Sequence, residues 1–449
     1  MFKTIANAFK SKEIRTKILI TLGLLFLFRL GSWIPVPGLD AAKMTVDADT
    51  FFSLLNGITG NALQNGTLLA LGISPYINAS IITQLLGIAI PAVERWSHEG
   101  DDGKKKMATF TRIVTLILAL AQGIGVAVSF SSIGGTATTA LRTDIFGFAM
   151  PEFVLGMLIV TMLVAGSMFT MWIGEKITDI GISNGISMLI FVGILSTAGQ
   201  AIIGTIQLWV YQATTPTVDG ITAPWVLVMF FALVLIIFGF ITFIDMSERR
   251  IPVQYAKQIK GRKQYGGQST FIPIKVNASG VLPIIFSTAL VSFPQLIMSM
   301  FLDPNTNGFY QGWMRWVGAG TPIYFVINGL LILFFSYFYA QVQFKPDEVA
   351  RNLQQYGGFI PGIRPGKPTA EYLSRVSKRL TLFGAIYLAI IFIVPSVVMS
   401  VLVQIGLLTN QLVTAFSATG MLIIVSVALE LEKQLESQLT MRQYKGFLK

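Results

Sequence analysis

The sequence predicts an all-α membrane protein with ten transmembrane helices in two five-helix halves. Three observations predict it: a composition too apolar for water, ten apolar runs of spanning length, and a lopsided distribution of positive charge. Of 449 residues, 53% are hydrophobic and 12% charged, against roughly 25% charged in an ordinary soluble protein. Apolar runs of about 20 residues cross the hydrocarbon core as helices. Here they lie at 18–36, 73–93, 112–132, 151–173, 182–206, 224–244, 276–300, 322–343, 380–402 and 411–430. Backbone groups in lipid must pair within their own segment, so each run is helical, and runs this long exclude an all-β barrel.

Cutting the chain at these runs places 29 of the 33 Lys and Arg on one side. The opposite side holds only Lys43, Arg142 and Arg315. Arg29 lies inside the first run near its outer end, where a long side chain can snorkel to water. By the positive-inside rule the N-terminal segment 1–17, the tail 431–449 and two basic loops, 245–276 and 344–379, are cytoplasmic. The N-terminal half is then 18–206, the C-terminal half 224–430, and 207–223 an outer hinge between them. Five is odd, so the halves enter the membrane from opposite sides. That is an inverted repeat, with a functional path at the interface between halves. The first run reads as a mature helix rather than a signal peptide, because Pro35-Val36-Pro37-Gly38 follows it in place of a small-residue cleavage site.

Several chemistries drop out. With no cysteine and a single histidine, His98 in a charged loop and read as solvated, no metal site is predicted. No cofactor is predicted either: Gly362-Ile363-Arg364-Pro365-Gly366-Lys367-Pro368 has the wrong spacing for a phosphate-binding loop and proline where the metal-binding hydroxyl belongs. Coupled transporters hold their ions on ionisable groups at mid-membrane, and each such group costs about 2.5 to 3.5 kcal/mol to insert. Glu152 and Glu430 sit at run ends, and no Asp, Glu, Lys or His falls near the middle of a run. The energy for transport must come from a partner, and no acid, base or nucleophile lines a plausible pocket, so the chain reads as no enzyme.

The stretch from Pro37 to Gly72 is too long for a turn and too apolar for a solvated loop. Phe51-Phe52-Ser53-Leu54-Leu55 opens a short amphipathic helix that Gly57, Gly60 and Gly66 keep short. The residues alone leave two placements open, a segment re-entering a cavity between helices and a helix lying in the interface.

Next comes Leu68-Leu69-Ala70-Leu71-Gly72-Ile73-Ser74-Pro75-Tyr76-Ile77-Asn78-Ala79-Ser80-Ile81-Ile82-Thr83-Gln84. Further on stand Met171-Trp172-Ile173-Gly174-Glu175-Lys176-Ile177-Thr178, Gly181-Ile182-Ser183-Asn184-Gly185-Ile186-Ser187, Tyr255-Ala256-Lys257, Gln268-Ser269-Thr270 and Phe359-Ile360-Pro361-Gly362-Ile363-Arg364-Pro365-Gly366. In order and spacing, over essentially the whole chain, this set closely resembles the SecY/Sec61-alpha family, whose bacterial members are channel subunits of the protein translocase.

The resemblance implies a clamshell with an hourglass pore that passes unfolded secretory polypeptide and releases apolar helices sideways into lipid, driven by a bound ribosome or the SecA motor ATPase. Matched onto the family pattern, Ile73, Ile77, Ile186, Ile190, Ile285 and Ile423 form a pore ring. Residues four apart share a helical face, and a narrow apolar constriction dewets and blocks ions. Without the match, an isoleucine on a membrane helix more often faces lipid or a neighbour. Segment 50–66 matches the plug, through Phe52, Leu54, Leu55, Asn56, Gly57, Gly60, Asn61 and Leu63. Gly60-Asn61 departs from a glycine pair in many relatives. Asn78, Gln122 and Asn277 match a polar cluster at a lateral gate between spans two and three and spans seven and eight. Amide bonds across such a seam are worth about 0.6 to 2 kcal/mol. Asn277 could instead cap its helix, which Pro283 and Pro294 soften.

Arg262, Lys263 and Arg364 match docking positions for the ribosome, whose RNA phosphates suit them, or for SecA. The plain reading is that the loops only obey the positive-inside rule and touch anionic lipid. Phe271 departs from a histidine expected there. Small SecE-like and SecG-like subunits, signal peptides, nascent polypeptides and membrane lipids complete the implied partners, and the bacterial cytoplasmic membrane the implied location. The span count alone also permits an ion-coupled secondary transporter of a small solute.

Overall fold

The computed structural model describes residues 8–40, 56–57, 59–129, 144–145, 148–149, 151–214, 224–255, 258–260, 263–265, 269–302, 307–318, 320–405 and 408–447. The N-terminal half contains α1 (Lys12–Gly31), α2 (Ser74–Ala89), the short α3 (Pro91–His98), α4 (Asp101–Ser129), a minimal hairpin of β1 (Asp144–Ile145) and β2 (Phe148–Ala149), α5 (Glu152–Ile180) and α6 (Gly185–Thr214). The C-terminal half contains α7 (Pro224–Asp245), strands β3 (Glu248–Tyr255), β4 (Gln258–Lys260), β5 (Lys263–Tyr265) and β6 (Ser269–Lys275), then α8 (Leu282–Phe301), α9 (Gly308–Val317), α10 (Pro322–Gln343), α11 (Pro346–Gln355), β7 (Gly358–Phe359), α12 (Lys367–Gln404), α13 (Asn410–Ala415) and α14 (Ala418–Phe447).

Among the described residues, each of the ten predicted spans contains a helix. Seven of them, α4, α5, α6, α7, α10, α12 and α14, are long and apolar enough to cross a membrane by length and composition. The other three are α1, with charges in its first two turns, α8, and α2, whose 16 residues measure about 24 Å.

Local chemistry explains where helices stop. The tenth helix keeps the boundaries of its apolar run, because Thr321 accepts a hydrogen bond from Tyr324 N and Pro322 fills the first turn, the two usual openings of a helix. The second run breaks early. Ile90 is extended, at φ −112 and ψ 113, as residues before proline prefer, and Pro91 starts α3. The seventh run turns helical only at Leu282, after Gly280 at φ +62 bends the chain. The outer hinge expected at 207–223 also begins later, since α6 continues to Thr214.

In the N-terminal half, α5 and α6 form a tight hairpin. Asn184 Oδ1 accepts from Ile186 N at 3.0 Å and Thr178 Oγ1 accepts from Gly185 N at 2.9 Å, satisfying donors that a helix start leaves unpaired. A Cβ on Gly185 would overlap the Gly174 carbonyl, so the two helices meet backbone to backbone. Arg112 of α4 grips Glu175 of α5 with both arms, at 3.0 and 2.8 Å. A second apolar core is drawn from α7, α8, α10, α12, α13 and α14 of the C-terminal half together with Ala198 and Ala201 of α6, and in it Phe230 meets Phe416 edge to face.

The basic loops are not featureless. Strand β3 is the centre of an antiparallel three-stranded sheet, with β6 on one side and β7, from the second basic loop, on the other. Along β3, Ile251 and Val253 are buried while Arg250, Pro252 and Gln254 are exposed, the period-2 pattern of a sheet with one wet face. The buried side rests on Leu353, Ile360 and Leu373. The two basic loops therefore form one small unit. Helix α12, 38 residues and about 57 Å long, carries it on its first turns, well beyond a hydrocarbon core of about 30 Å.

Candidate channel waist, plug and gate

Six isoleucines meet at the interface of the halves. Ile73 precedes α2 and Ile77 lies on it, Ile186 and Ile190 lie on α6, Ile285 on α8 and Ile423 on α14. All six belong to one apolar cluster with Leu25, Phe28 and Leu189. Ile73, Ile190 and Ile423 are buried and the other three half-buried. Gly174 makes room for them: a Cβ there would lie 3.3 Å from Ile73 Cδ1 and 3.6 Å from Ile186 Cγ1. Helices α2, α6 and α8 carry no charged residue at all. Among the described residues, no group of three or more His, Asp or Glu could hold a metal ion.

Arg29 does not snorkel. Its Nη2 donates to Ser196 Oγ on α6, and its Nη1 lies against Gly60. The guanidinium thus points inward, toward the segment that follows α1. That segment leaves and returns at one place. Pro35 pairs with Thr67 in an antiparallel bridge, Val36 N donates to Gly66 O at 2.8 Å, and Leu68 N to Ile34 O at 2.9 Å. Within it, Asn56 staples a turn, its Oδ1 accepting from Gln64 N at 3.0 Å and its Nδ2 donating to Asn61 Oδ1 at 3.1 Å. Gly60 and Asn61 both have positive φ, +74 and +64, a conformation asparagine tolerates better than other side chains do. Leu63 is fully buried, in a cluster with Val126, Leu155 and Leu163 of α4 and α5 rather than with the isoleucines. Phe52, Leu54 and Leu55 lie outside the described residues.

At the seam between halves, the amides expected to latch together do not bond to one another. Gln122 is buried, and neither its nitrogen nor its oxygen has a hydrogen-bond partner among the described residues. Asn277 instead donates to Asp245 Oδ1 at 2.9 Å, and Asp245 Oδ2 accepts from Ser426 Oγ at 2.5 Å. That ties the approach to α8 to α7 and α14 inside the C-terminal half. Asn78 is half-buried on α2. A bond that does cross the seam runs from Tyr339 Oη of α10 to Gln84 Oε1 of α2, at 2.9 Å.

On the unit formed by the basic loops, Arg364 is exposed in a turn between Pro361 and Pro365, and its carbonyl accepts from Thr369 Oγ1 at 2.8 Å. Arg262 lies outside the described residues, and of Lys263 only the backbone, in β5, is described. Phe271 lies under Arg250, whose guanidinium carbon is 4.8 Å from the ring centroid, a cation–π contact.

A family model described as SecY matches residues 67–431. The chain belongs to the SecY family. It is 40% identical to the protein translocase subunit SecY of Streptomyces coelicolor, with all of both chains covered. The subunit from Corynebacterium glutamicum is 41% identical, over 99% of each chain. The one from Thermus thermophilus is 38% identical, over 100% of this chain and 98% of that one. Among solved structures, a protein-conducting channel shares the fold at a TM-score of 0.66 and 20% identity, covering 94% of this chain and 91% of the other. Sec61 of a canine ribosome-channel complex does so at 0.63 and 18%, with the same coverage.

The SecY-family motifs have packing behind them. The stretch 171–187 contains the α5–α6 hairpin, with Gly174 and Gly185 at its closest approach, and 68–72 runs against α5, where a Cβ on Gly166 would overlap the Leu68 carbonyl. Sequence reasoning missed Ser196, Thr197, Gln200, Asp245 and Tyr339. Only Asp245 carried a signal, as an acid placed where an apolar span meets a basic loop.

Proposed function

We propose that this chain is the protein-conducting channel of a bacterial Sec translocase, passing unfolded polypeptide across the cytoplasmic membrane and releasing apolar helices sideways into lipid. The carrying observation is the apolar waist: isoleucines from both halves share one cluster, and Ile77, Ile186, Ile190 and Ile285 stand on helices without charge. A constriction of branched aliphatic side chains sheds water and so bars ions. It also offers a passing chain no hydrogen bonds to hold. Ile73, Ile77, Ile186, Ile190, Ile285 and Ile423 form this ring, segment 50–66 is the plug on its outer side, and α2, α4, α8 and α10 border the lateral gate. Both termini and the basic unit face the cytoplasm, as the positive-inside rule directs.

The decisive test uses purified complex in liposomes. With a motor ATPase and a presequence-bearing polypeptide, the polypeptide should become protected inside. Uptake of a small solute down an ion gradient, with neither present, would instead make the chain a secondary transporter.

The gate reading rests on the Tyr339–Gln84 bond. Hydrogen bonds between membrane helices are worth about 0.6 to 2 kcal/mol, so Tyr339→Phe should favour the open gate by roughly threefold to thirtyfold. Fluorescence transfer between labels on α2 and α10 would report it. An unchanged open fraction would remove this bond from the gate.

Partners follow from the surfaces. Small SecE-like and SecG-like helices cover the outer faces, signal peptides enter at the seam, and the ribosome or SecA docks on Arg262, Lys263 and Arg364. If Arg364 meets RNA phosphate, Arg364→Ala should weaken ribosome binding and flatten its dependence on log salt by about one unit. Equal salt slopes for the two proteins would move the contact elsewhere.

A further inference from the structure

We propose that Arg29 is the bolt of the plug, a positioning residue whose guanidinium holds segment 56–66 against α6 and sets how often the resting channel opens. This rests on reading that segment as the plug. The contacts run along one stripe of α6. Thr197 Oγ1 donates to Gly57 O at 2.9 Å, and Asn61 Nδ2 donates to Gln200 Oε1 at 2.6 Å. Gly60 approaches so closely that a Cβ would lie 3.2 Å from Gly193 O. Positions 193, 197 and 200 recur at the spacing of one helical face. Arg29, from α1, closes the arrangement from the other side. It bonds to Ser196 on the same helix and lies across Gly60, where any side chain would overlap the guanidinium.

The chemistry suits a releasable bolt. A cation inside a span is kept where something uses it, and this one turns away from the water it could reach by snorkelling. Arginine rather than lysine fits, because its flat fork can bond Ser196 with one arm and lay the other over a glycine. Only one arm is satisfied: Nη1 is buried without a hydrogen-bond partner among the described residues. A fully paired guanidinium would hold too firmly for a segment that must move at every passage. Half-paired, it leaves the closed state only modestly favoured, so a partner with modest preference for the open state can shift the balance.

The test is resting ion conductance of the whole complex in planar bilayers, with a disulfide arm that the absence of native cysteine keeps clean. Arg29→Met should raise the open fraction roughly tenfold or more, the factor a charge-assisted hydrogen bond carries. Arg29→Lys should fall between it and the parent. Ser196→Ala should raise opening less, and the double variant no further than Arg29→Met alone. Should Arg29→Met fail to assemble, Ser196→Ala and Gly60→Ala carry the test, the latter placing a methyl where the guanidinium lies. In the second arm, Asn61→Cys with Gln200→Cys is oxidised in the Arg29→Met background. Closure should silence the leak and stop polypeptide passage, and reductant should restore both. If the oxidised pair leaves passage intact, segment 56–66 is not the plug. If it blocks passage while the Arg29 and Ser196 variants open no more often than the parent, the plug stands and the bolt does not.

Discussion

Replacing Ile73, Ile77 and Ile190 together with glycine should make resting membranes leak ions. The three come from the two elements of the N-terminal half that supply the waist, and removing them strips branched surface from one side of it while Ile285 and Ile423 remain opposite. A gap wide enough for continuous water no longer dewets, and the barrier to ions falls with it. Glycine also costs about 1 kcal/mol at a helix-interior position, which applies to Ile77 and Ile190. The leak must therefore be separated from unfolding. Valine at the same three positions keeps branched aliphatic bulk and should stay sealed, while the glycine variant should still purify as an intact complex. The proposed plug should limit the effect without cancelling it, since the described part of that segment packs on α4, α5 and α6 rather than filling the waist. Conductance unchanged in a folded triple variant would end the ring assignment.

How much of this was legible in the residues depended on distance along the chain. Spanning helices announce themselves locally, so α10 matched its apolar run at both ends, where Thr321 and Pro322 supply a cap and a first turn. Pro91 was equally visible, yet the run continued through it in hydropathy, and the break at Ile90 needed the rule for residues before proline. The β3 strand was readable as alternation of Ile251 and Val253 with Arg250, Pro252 and Gln254. The basic charge of the loop drew attention from that period. The site was legible only through resemblance. Nothing local marks Ile285 as joining the isoleucine cluster rather than facing lipid, and its place is set by how α8 packs across the seam. Hydrogen bonds of the seam had no signal at all: Gln84 and Tyr339 are 255 residues apart, and each is an ordinary side chain in its own helix. Arg29 shows the limit most plainly. Its position within α1 permitted snorkelling, and only tertiary structure, bringing Ser196 and Gly60 beside it, turned it inward.

Bridging Gln84→Cys on α2 to Tyr339→Cys on α10 with a short thiol-reactive linker should stop lateral release of helices, because these positions already touch across the seam. The chain has no other cysteine to react. A transmembrane helix with its side chains is about 10–12 Å across, so a bridge shorter than that leaves no exit, and one comfortably longer should restore release. Axial passage makes a separate demand. An extended chain is thinner than a helix, but it needs the two halves to part at the waist, and a rigid clamp at the seam resists that as well. The short bridge should therefore block insertion completely and slow secretion, whereas the long bridge should free both. The same comparison between one cysteine on α2 and one on α8 samples the neighbouring border of the gate and should give the same order of effects. Normal insertion through a seam closed by the short linker would mean that helices leave elsewhere, and the interface between α2 and α10 would then be a static contact between halves.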